Sequence, residues 1–198
     1  MSFKYAIVLT GGIATGKSTA SKYLSNFGFS IIDADEIAHQ VLDENAKKIA
    51  EMFGDNLLQN TKINRKSLGE IVFSDDAKRK ALEEILHPLI YEKIEYLSSK
   101  LDKKQKFYLI DIPLFFEGWR YCIDKSIVVY TAKEIQVERL MGRDGYSKEE
   151  ALRRIDSQMD IEEKRKRATY VIDNSSSLEQ LKHECTRIKK EVELSESD

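Results

Sequence analysis

Apolar residues gather in five short runs, at residues 5–10, 29–32, 107–110, 126–130 and 170–172. Each run is nearly continuous rather than alternating, the pattern of strands buried on both faces of a parallel sheet. Helical periodicity separates them. Residues 17–27 place Ala20, Tyr23, Leu24 and Phe27 on one side, and Leu178, Leu181, Cys185, Ile188 and Val192 recur at helical spacing near the end. Ser177 with Gln180 and Ser147 with Glu150 have the spacing of capping boxes, the second opening a helix directed towards Met159. Strand–helix alternation predicts an α/β domain with a parallel sheet of about five strands flanked by helices.

Two stretches interrupt the alternation. Residues 36–104 read as helical throughout, with Leu82, Ile85, Leu86, Leu89, Ile90, Ile94 and Leu97 as apolar positions and Pro88 bending or restarting the helix. Residues 139–167 are helical and rich in Arg. Both are expected as lobes of one domain, whose core is then 1–35, 105–138 and 168–192; the polar tail from residue 191 is expected to fray.

The chain has 198 residues, 41% hydrophobic and 33% charged, which suits one folded domain and excludes a wholly disordered chain. Its net charge of −2 lacks the basic footprint of a dedicated nucleic-acid binder. Two separated cysteines and three scattered histidines form neither a disulfide framework nor a metal-ligand cluster. No apolar run reaches membrane-spanning length and none reads as a secretory signal, so a reducing cytoplasm is the expected compartment.

Against this background one segment carries chemistry. Gly11-Gly12-Ile13-Ala14-Thr15-Gly16-Lys17-Ser18, followed by Thr19, fits G-x-x-x-x-G-K-[ST] between a strand and an amphipathic helix. Glycines let the backbone close on phosphate oxygens, and successive N–H groups with the helix N-terminus present positive potential. Lys17 would reach the β- and γ-phosphates and the Ser18 hydroxyl would ligand Mg²⁺. Asp111 ends an apolar strand, as does the Walker B carboxylate that orders Mg²⁺ directly or through water.

The motifs D-x-x-G and N-K-x-D of switch GTPases do not occur, and the chain is short for a motor or transporter. A small-molecule kinase needs a base, an acceptor pocket and cations that close over the phosphoryl group. Asp33 follows the second strand and either accepts a proton from a hydroxyl or, like Asp35, caps the next helix. Arg139 and Arg143, at i and i+4, are the candidate cations; Arg153, Arg154, Arg165 and Arg167 read as a solvated face balanced by glutamates. Leu114 and Phe115, beyond the third strand, either pack the core or line an organic acceptor.

These motifs in this order resemble the dephospho-CoA kinase family from about residue 6 to residue 174. The loop carries Ala14 and Thr15 where the family commonly has Gly and Ser. Asp33-Ala34-Asp35 matches its D-A-D motif, and Arg65, Leu68, Ile71-Val72-Phe73, Leu82 and His87-Pro88 follow its middle pattern, with Asn64 where Asp is usual. Residues 113–117 resemble P-L-L-F-E with Phe115 for a Leu. Gln136, Arg139, Arg143, Asp144-Gly145 and Gln158-Met159 match its lid, and Ile172-Asp173-Asn174 its last strand. The resemblance implies ATP- and Mg²⁺-dependent phosphorylation of the ribose 3′-hydroxyl of dephospho-CoA. It implies Asp33 as base, Lys17 and residues 11–19 on ATP, and Arg139 and Arg143 on the phosphoryl charge. Residues near Asn174 would border the adenine, and residues 36–104, including His87, would hold the acceptor beside Leu114 and Phe115. It implies no nucleic-acid, membrane or obligate protein partner. A kinase of another small molecule and a non-catalytic nucleotide-binding module remain the alternatives.

Overall fold

The computed structural model describes residues 3–118 and 121–195. The chain runs β1 (Ala6–Gly11), α1 (Lys17–Asn26), β2 (Ile31–Asp33), α2 (Ala34–Glu44), α3 (Ala46–Phe53), a 3₁₀ turn (Asp55–Leu57), β3 (Leu58–Gln59), β4 (Lys62–Ile63), α4 (Arg65–Ser74), α5 (Asp76–Asp102), β5 (Tyr108–Asp111), β6 (Lys125–Tyr130), α6 (Lys133–Asp144), α7 (Lys148–Asp156), α8 (Ile161–Arg167), β7 (Tyr170–Asp173) and α9 (Leu178–Leu194). The five expected strands are β1, β2, β5, β6 and β7, and they join in one sheet of order β2-β5-β1-β6-β7. β1 is parallel to β5 (Val8 opposite Ile110) and to β6 (Leu9 opposite Ile127), and β6 is parallel to β7 (Val129 opposite Ile172).

Continuous apolar runs are explained where both faces are covered. Every residue of β1 and β5 is buried, and all of β6 after Lys125. The outer strands β2 and β7 are only partly covered, as the ends of a sheet must be. Ala20 and Leu24 of α1 meet Leu181, Cys185, Ile188 and Val192 of α9 in one core over Ile7, Leu9, Ile127 and Ile172. Full burial of each Leu, Ile or Val in it stabilises by roughly 1.5–3 kcal/mol. Leu178 departs from the expected stripe, 65% exposed at the first position of α9. The capping box at Ser147–Glu150 forms in both directions. At Ser177 only half forms: Gln180 N–H donates to Ser177 Oγ, while Gln180 Oε1 is buried without a partner. α9 continues helical to Leu194 rather than fraying from 191; residues 196–198 of the expected tail lie outside the described residues.

The described chain divides into two compact units, Asp33–Leu97 and the sheet unit made of the remainder. Within Asp33–Leu97, helices do not run throughout. The short hairpin β3–β4 turns at Asn60, whose φ of 58° lies in the left-handed region that Asn tolerates. Leu57 of the 3₁₀ turn and Ile63 of β4 pack with Leu42, Ile49, Ala50 and Leu68. Asn64 caps α4 through the Ser67 N–H, and Arg65 pairs with Asp43 at 2.8 Å. α5 also runs unbroken through Pro88. A proline inside a helix removes one i→i−4 hydrogen bond, and Leu82 and Leu86, packed against the unit's core, hold the turns before it.

Residues 139–167 comprise the second half of α6, then α7 and α8. α7 stops at Asp156 instead of continuing to Met159. Apolar packing joins this segment to the loop after β1: Leu140, Ala151 and Ile155 form a small core with Val137 against Ile13, Ala14, Tyr146 and Leu152.

Candidate active site

β1 delivers the loop of residues 11–16 to the carboxyl edge of the sheet, and α1 begins immediately after it. Contact restricts Gly11, Gly12 and Gly16, and conformation restricts Gly16 as well. A Cβ on Gly11 would lie 2.8 Å from Thr15 Oγ1 and 2.9 Å from the Val129 carbonyl oxygen, and one on Gly12 would lie 2.7 Å from Gln136 Nε2. Gly16 has φ of 89°, in the left-handed region, and precedes α1 as its N-cap. α1 has no side-chain cap and no acidic residue in its first turn, so its N-terminal N–H groups and dipole are left to an anion.

Every carbonyl of the loop meets a donor. Gly11 O accepts from Lys164 Nζ at 2.9 Å, Gly12 O from Thr15 Oγ1 at 2.9 Å, and Ile13 O from Gln136 Nε2 at 2.6 Å. Ala14 O accepts from Arg139 Nη1 at 3.4 Å, Thr15 O from Asn174 Nδ2 at 2.8 Å, and Gly16 O from the Thr19 and Ala20 N–H groups. In a planar trans peptide the C=O and the following N–H point in opposite directions. Each engaged carbonyl therefore fixes the plane of its peptide and with it the direction of the N–H that follows.

A cavity of about 330 Å³ is lined by residues 11–14 and 16 of the loop, with Lys17, Ser18, Thr19, Pro113, Arg143 and Gln158. Lys17 forms an ion pair with Asp111, the buried last residue of β5. Thr10 Oγ1 donates to the Pro113 carbonyl oxygen at 3.0 Å and ties β1 to the segment after β5. Gln158 Oε1 accepts from the Ile13 N–H at 2.9 Å, bringing the turn between α7 and α8 onto the loop. A larger hollow of about 420 Å³, lined by Phe27, Phe29, Lys106 and Phe107 among others, lies at the amino ends of β2 and β5, away from the edge where open α/β sheets bind ligands.

The expected residues take different places. Arg143 lines the loop cavity and forms a two-pronged pair with Asp144, both bonds 2.8 Å, which raises the guanidinium and holds the Asp144 carboxyl below its ordinary value. Arg139 does not project alongside it. Its Nη2 donates to Asn174 O at 2.8 Å and its Nη1 to Ala14 O, so the fork is occupied by main-chain carbonyls. Asn174 is 5% exposed; its amide holds Thr15 O and its N–H donates to Tyr130 O. Phe115 is buried edge-to-face on Phe116, ring centroids 5.2 Å apart, whereas Leu114 is half exposed. In the other unit, Asp33 ends β2 and caps α2, its Oδ1 accepting from the Glu36 N–H at 3.0 Å. There too, His87 lies on α5 in a surface hollow with Lys80, Glu83, Glu84 and Pro88.

Gln136, Gln158 and Lys164 are the contributors that residue-by-residue reasoning leaves without a function. Lys164 is fully buried. It pairs with Glu117 Oε1 at 2.7 Å, and Glu117 Oε1 also accepts from the Met159 N–H at 3.0 Å. Nearby, Glu162 accepts from the Tyr130 hydroxyl at 2.5 Å, which raises the phenol above its ordinary value, and Arg165 lies over the Tyr130 ring. Arg165 is thus stacked on an aromatic face as well as solvated, and Arg154 stacks likewise over Tyr146.

A parallel sheet whose first strand ends in this loop, with Lys17 and a strand-terminal Asp111 beside it, defines a P-loop kinase of small molecules. Known proteins specify the family. Residues 5–180 match the family model described as dephospho-CoA kinase. The chain is 55% identical over 185 residues to the dephospho-CoA kinase of Sulfurimonas denitrificans, covering 93% of this chain and 92% of that one. It is 48% identical to that of Helicobacter pylori over 96% and 98% of the two chains. The solved dephospho-CoA kinase from Campylobacter jejuni superposes with a TM-score of 0.72 at 41% identity, covering 95% of this chain and 97% of that one. The chain belongs to the dephospho-CoA kinase family and is an ATP-dependent phosphotransferase acting on dephospho-CoA, the last step of coenzyme A synthesis. No helix among the described residues is long and apolar enough to cross a membrane.

Proposed function

We propose that the chain moves the γ-phosphoryl group of ATP to the ribose 3′-hydroxyl of dephospho-CoA, in the cytoplasm, with the following division of labour. The observation that carries the ATP side is the loop itself, with its carbonyls engaged by donors and the start of α1 left without a side-chain cap. Its N–H groups bind the phosphates. Lys17 leaves Asp111 for the β- and γ-oxygens, and Arg143, already lining the cavity, meets the charge on the transferring group. Arg139 and Asn174 act on ATP through the loop they hold, and the residues around Asn174 border the adenine.

Asp33 takes the proton from the attacking hydroxyl. Its bond to the Glu36 N–H fixes the carboxylate at the end of β2, so capping and base roles share one side chain. Residues of Asp33–Leu97, His87 among them, hold the acceptor.

The donor set suits Mg²⁺. Ser18 Oγ and the Asp111 carboxylate are hard oxygen ligands beside the loop. Among the described residues no cluster of three or more His, Cys, Asp or Glu side chains could hold a metal ion, so phosphate and water would complete the shell, as this ion prefers. Held there by Ser18 and Asp111, it would supply charge neutralisation for the phosphates.

The test is coupled ADP release with dephospho-CoA, nucleoside monophosphates and sugars as acceptors. Release dependent on dephospho-CoA, abolished about 10²-fold or more in Lys17→Ala, is expected. Release with a different acceptor, or nucleotide binding with no transfer to any, would overturn the proposal.

A further inference from the structure

Lysine is almost never fully buried unless paired, and desolvating its ammonium costs several kcal/mol that an ion pair only partly recovers. Replacing such a pair whole by apolar side chains of similar volume is often neutral or stabilising. Lys164 nevertheless is 0% exposed, in a seven-residue helix whose Ile161 packs on Val128 and Tyr130 of β6. What it does there is shown by its partners. Nζ donates to the Gly11 carbonyl oxygen at 2.9 Å and lies 2.7 Å from Glu117 Oε1.

The Gly11 carbonyl belongs to the peptide that carries the Gly12 N–H. Fixing one fixes the other, in the opposite direction. Gly12 lines the loop cavity. A Cβ at Gly11 would strike Thr15 Oγ1 and the Val129 carbonyl oxygen, so no side chain at Gly11 itself could restrict that peptide. Its orientation is supplied from 153 residues away by Lys164. The same ammonium binds the carboxylate that receives the Met159 N–H, next to Gln158, whose Oε1 accepts from the Ile13 N–H. The first bend of the loop, the segment after β5 and the turn between α7 and α8 therefore meet at one charge pair.

We propose that Lys164 is a positioning residue of the phosphoryl transfer: paired with Glu117, it fixes the first peptide of the loop and so the placement of ATP. This rests on the assignment of the loop as the ATP phosphate site. Misplacement of reacting groups by about 1 Å is enough to lose about 10²-fold in rate.

The test compares full-length wild type with Lys17→Ala, Lys164→Met, Lys164→Arg and the double variant Lys164→Met/Glu117→Leu. It measures melting temperature and initial rates against ATP and dephospho-CoA separately. Lys164→Met is expected to lower kcat/KM for ATP about 10²-fold while KM for dephospho-CoA changes less than about threefold. Lys164→Arg, which keeps charge and donors, should recover much of the loss. The double variant removes the unpaired carboxylate, so its melting temperature should return towards wild type while its ATP kinetics stay impaired. It also carries the decision should Lys164→Met fail to fold. Wild-type ATP kinetics in Lys164→Met, or recovery of stability and ATP kinetics together in the double variant, would show Lys164 to be structural only. An inactive Lys17→Ala beside such a result overturns this inference alone; a fully active Lys17→Ala overturns the ATP-site assignment beneath it.

Discussion

Gly16 and Asn174 compete for the same space, and that competition has a measurable size. Gly16 has φ of 89°, and a Cβ placed on it would sit 2.1 Å from Asn174 Nδ2, the atom that donates to Thr15 O at 2.8 Å. Gly16→Ala thus forces a left-handed conformation on a residue with a Cβ, at about 1–2 kcal/mol. It also drives the amide off the Thr15 carbonyl, leaving a buried acceptor unpaired at about 1–3 kcal/mol. The sum is about 2–5 kcal/mol, or roughly 4–20 °C in melting temperature for a chain of this size. Asn174→Ala loses the same hydrogen bond without the backbone strain, about 1–3 kcal/mol. The lost bond is counted in both single variants but only once in the double variant. Urea unfolding of the four proteins should therefore give a coupling energy of about 1–3 kcal/mol, the double variant being no less stable than Gly16→Ala alone. Strict additivity would refute the reasoning, because it would mean that the two side chains do not share that space.

Two further outcomes follow from backbone and burial. Ala14 has φ of 60° and packs in the small core with Val137 and Leu140. Ala14→Gly relieves strain but loses a methyl contact, so it should shift stability by less than about 1 kcal/mol. Ala14→Val, β-branched in a left-handed conformation, should destabilise by about 2 kcal/mol or more in the same unfolding assay. Burial pushes the Cys185 thiol up to about 12, whereas Cys122 is exposed. A thiol reagent at pH 8 should label one cysteine in the folded protein and two in denaturant. Because folded Cys185 keeps its proton where the unfolded thiol loses it, stability should fall as pH rises above the ordinary value of 9.0 towards 12, a slope that Cys185→Ala flattens.

The sheet was legible because its central strands are buried on both faces, which demands unbroken apolar runs such as Ile7-Val8-Leu9 and Ile127-Val128-Val129. The loop was legible because its constraint is local: the glycines, Lys17 and Ser18 act within a few residues of one another. What escaped is non-local or very short. The β3 and β4 strands are two residues each, too short for any period to register, and only Asn60 hints at the turn. Pro88 marks a helix break by local rule, and packing of Leu82 and Leu86 overrides it. The donors that shape the loop come from residues 136, 139, 164 and 174, which only the folded topology brings to it. Nothing at Lys164 separates it by sequence from the solvated Arg and Lys around it. Only its spacing of three from Ile161 places both on the buried side of α8. Arg139 and Arg143, alike in sequence, diverge for the same reason: one turn of helix apart, one finds carbonyls and the other the cavity.

Turnover of Asp33→Asn with ATP and dephospho-CoA, measured beside its melting temperature, tests the central claim most directly. Asn caps a helix about as well as Asp, so α2 and the melting temperature should be unchanged. The carboxylate that receives the hydroxyl proton is gone, so turnover should fall roughly 10²–10⁴-fold while ATP binding persists. A variant that melts like wild type and turns over dephospho-CoA at the wild-type rate would contradict the account, leaving Asp33 a helix cap and nothing more.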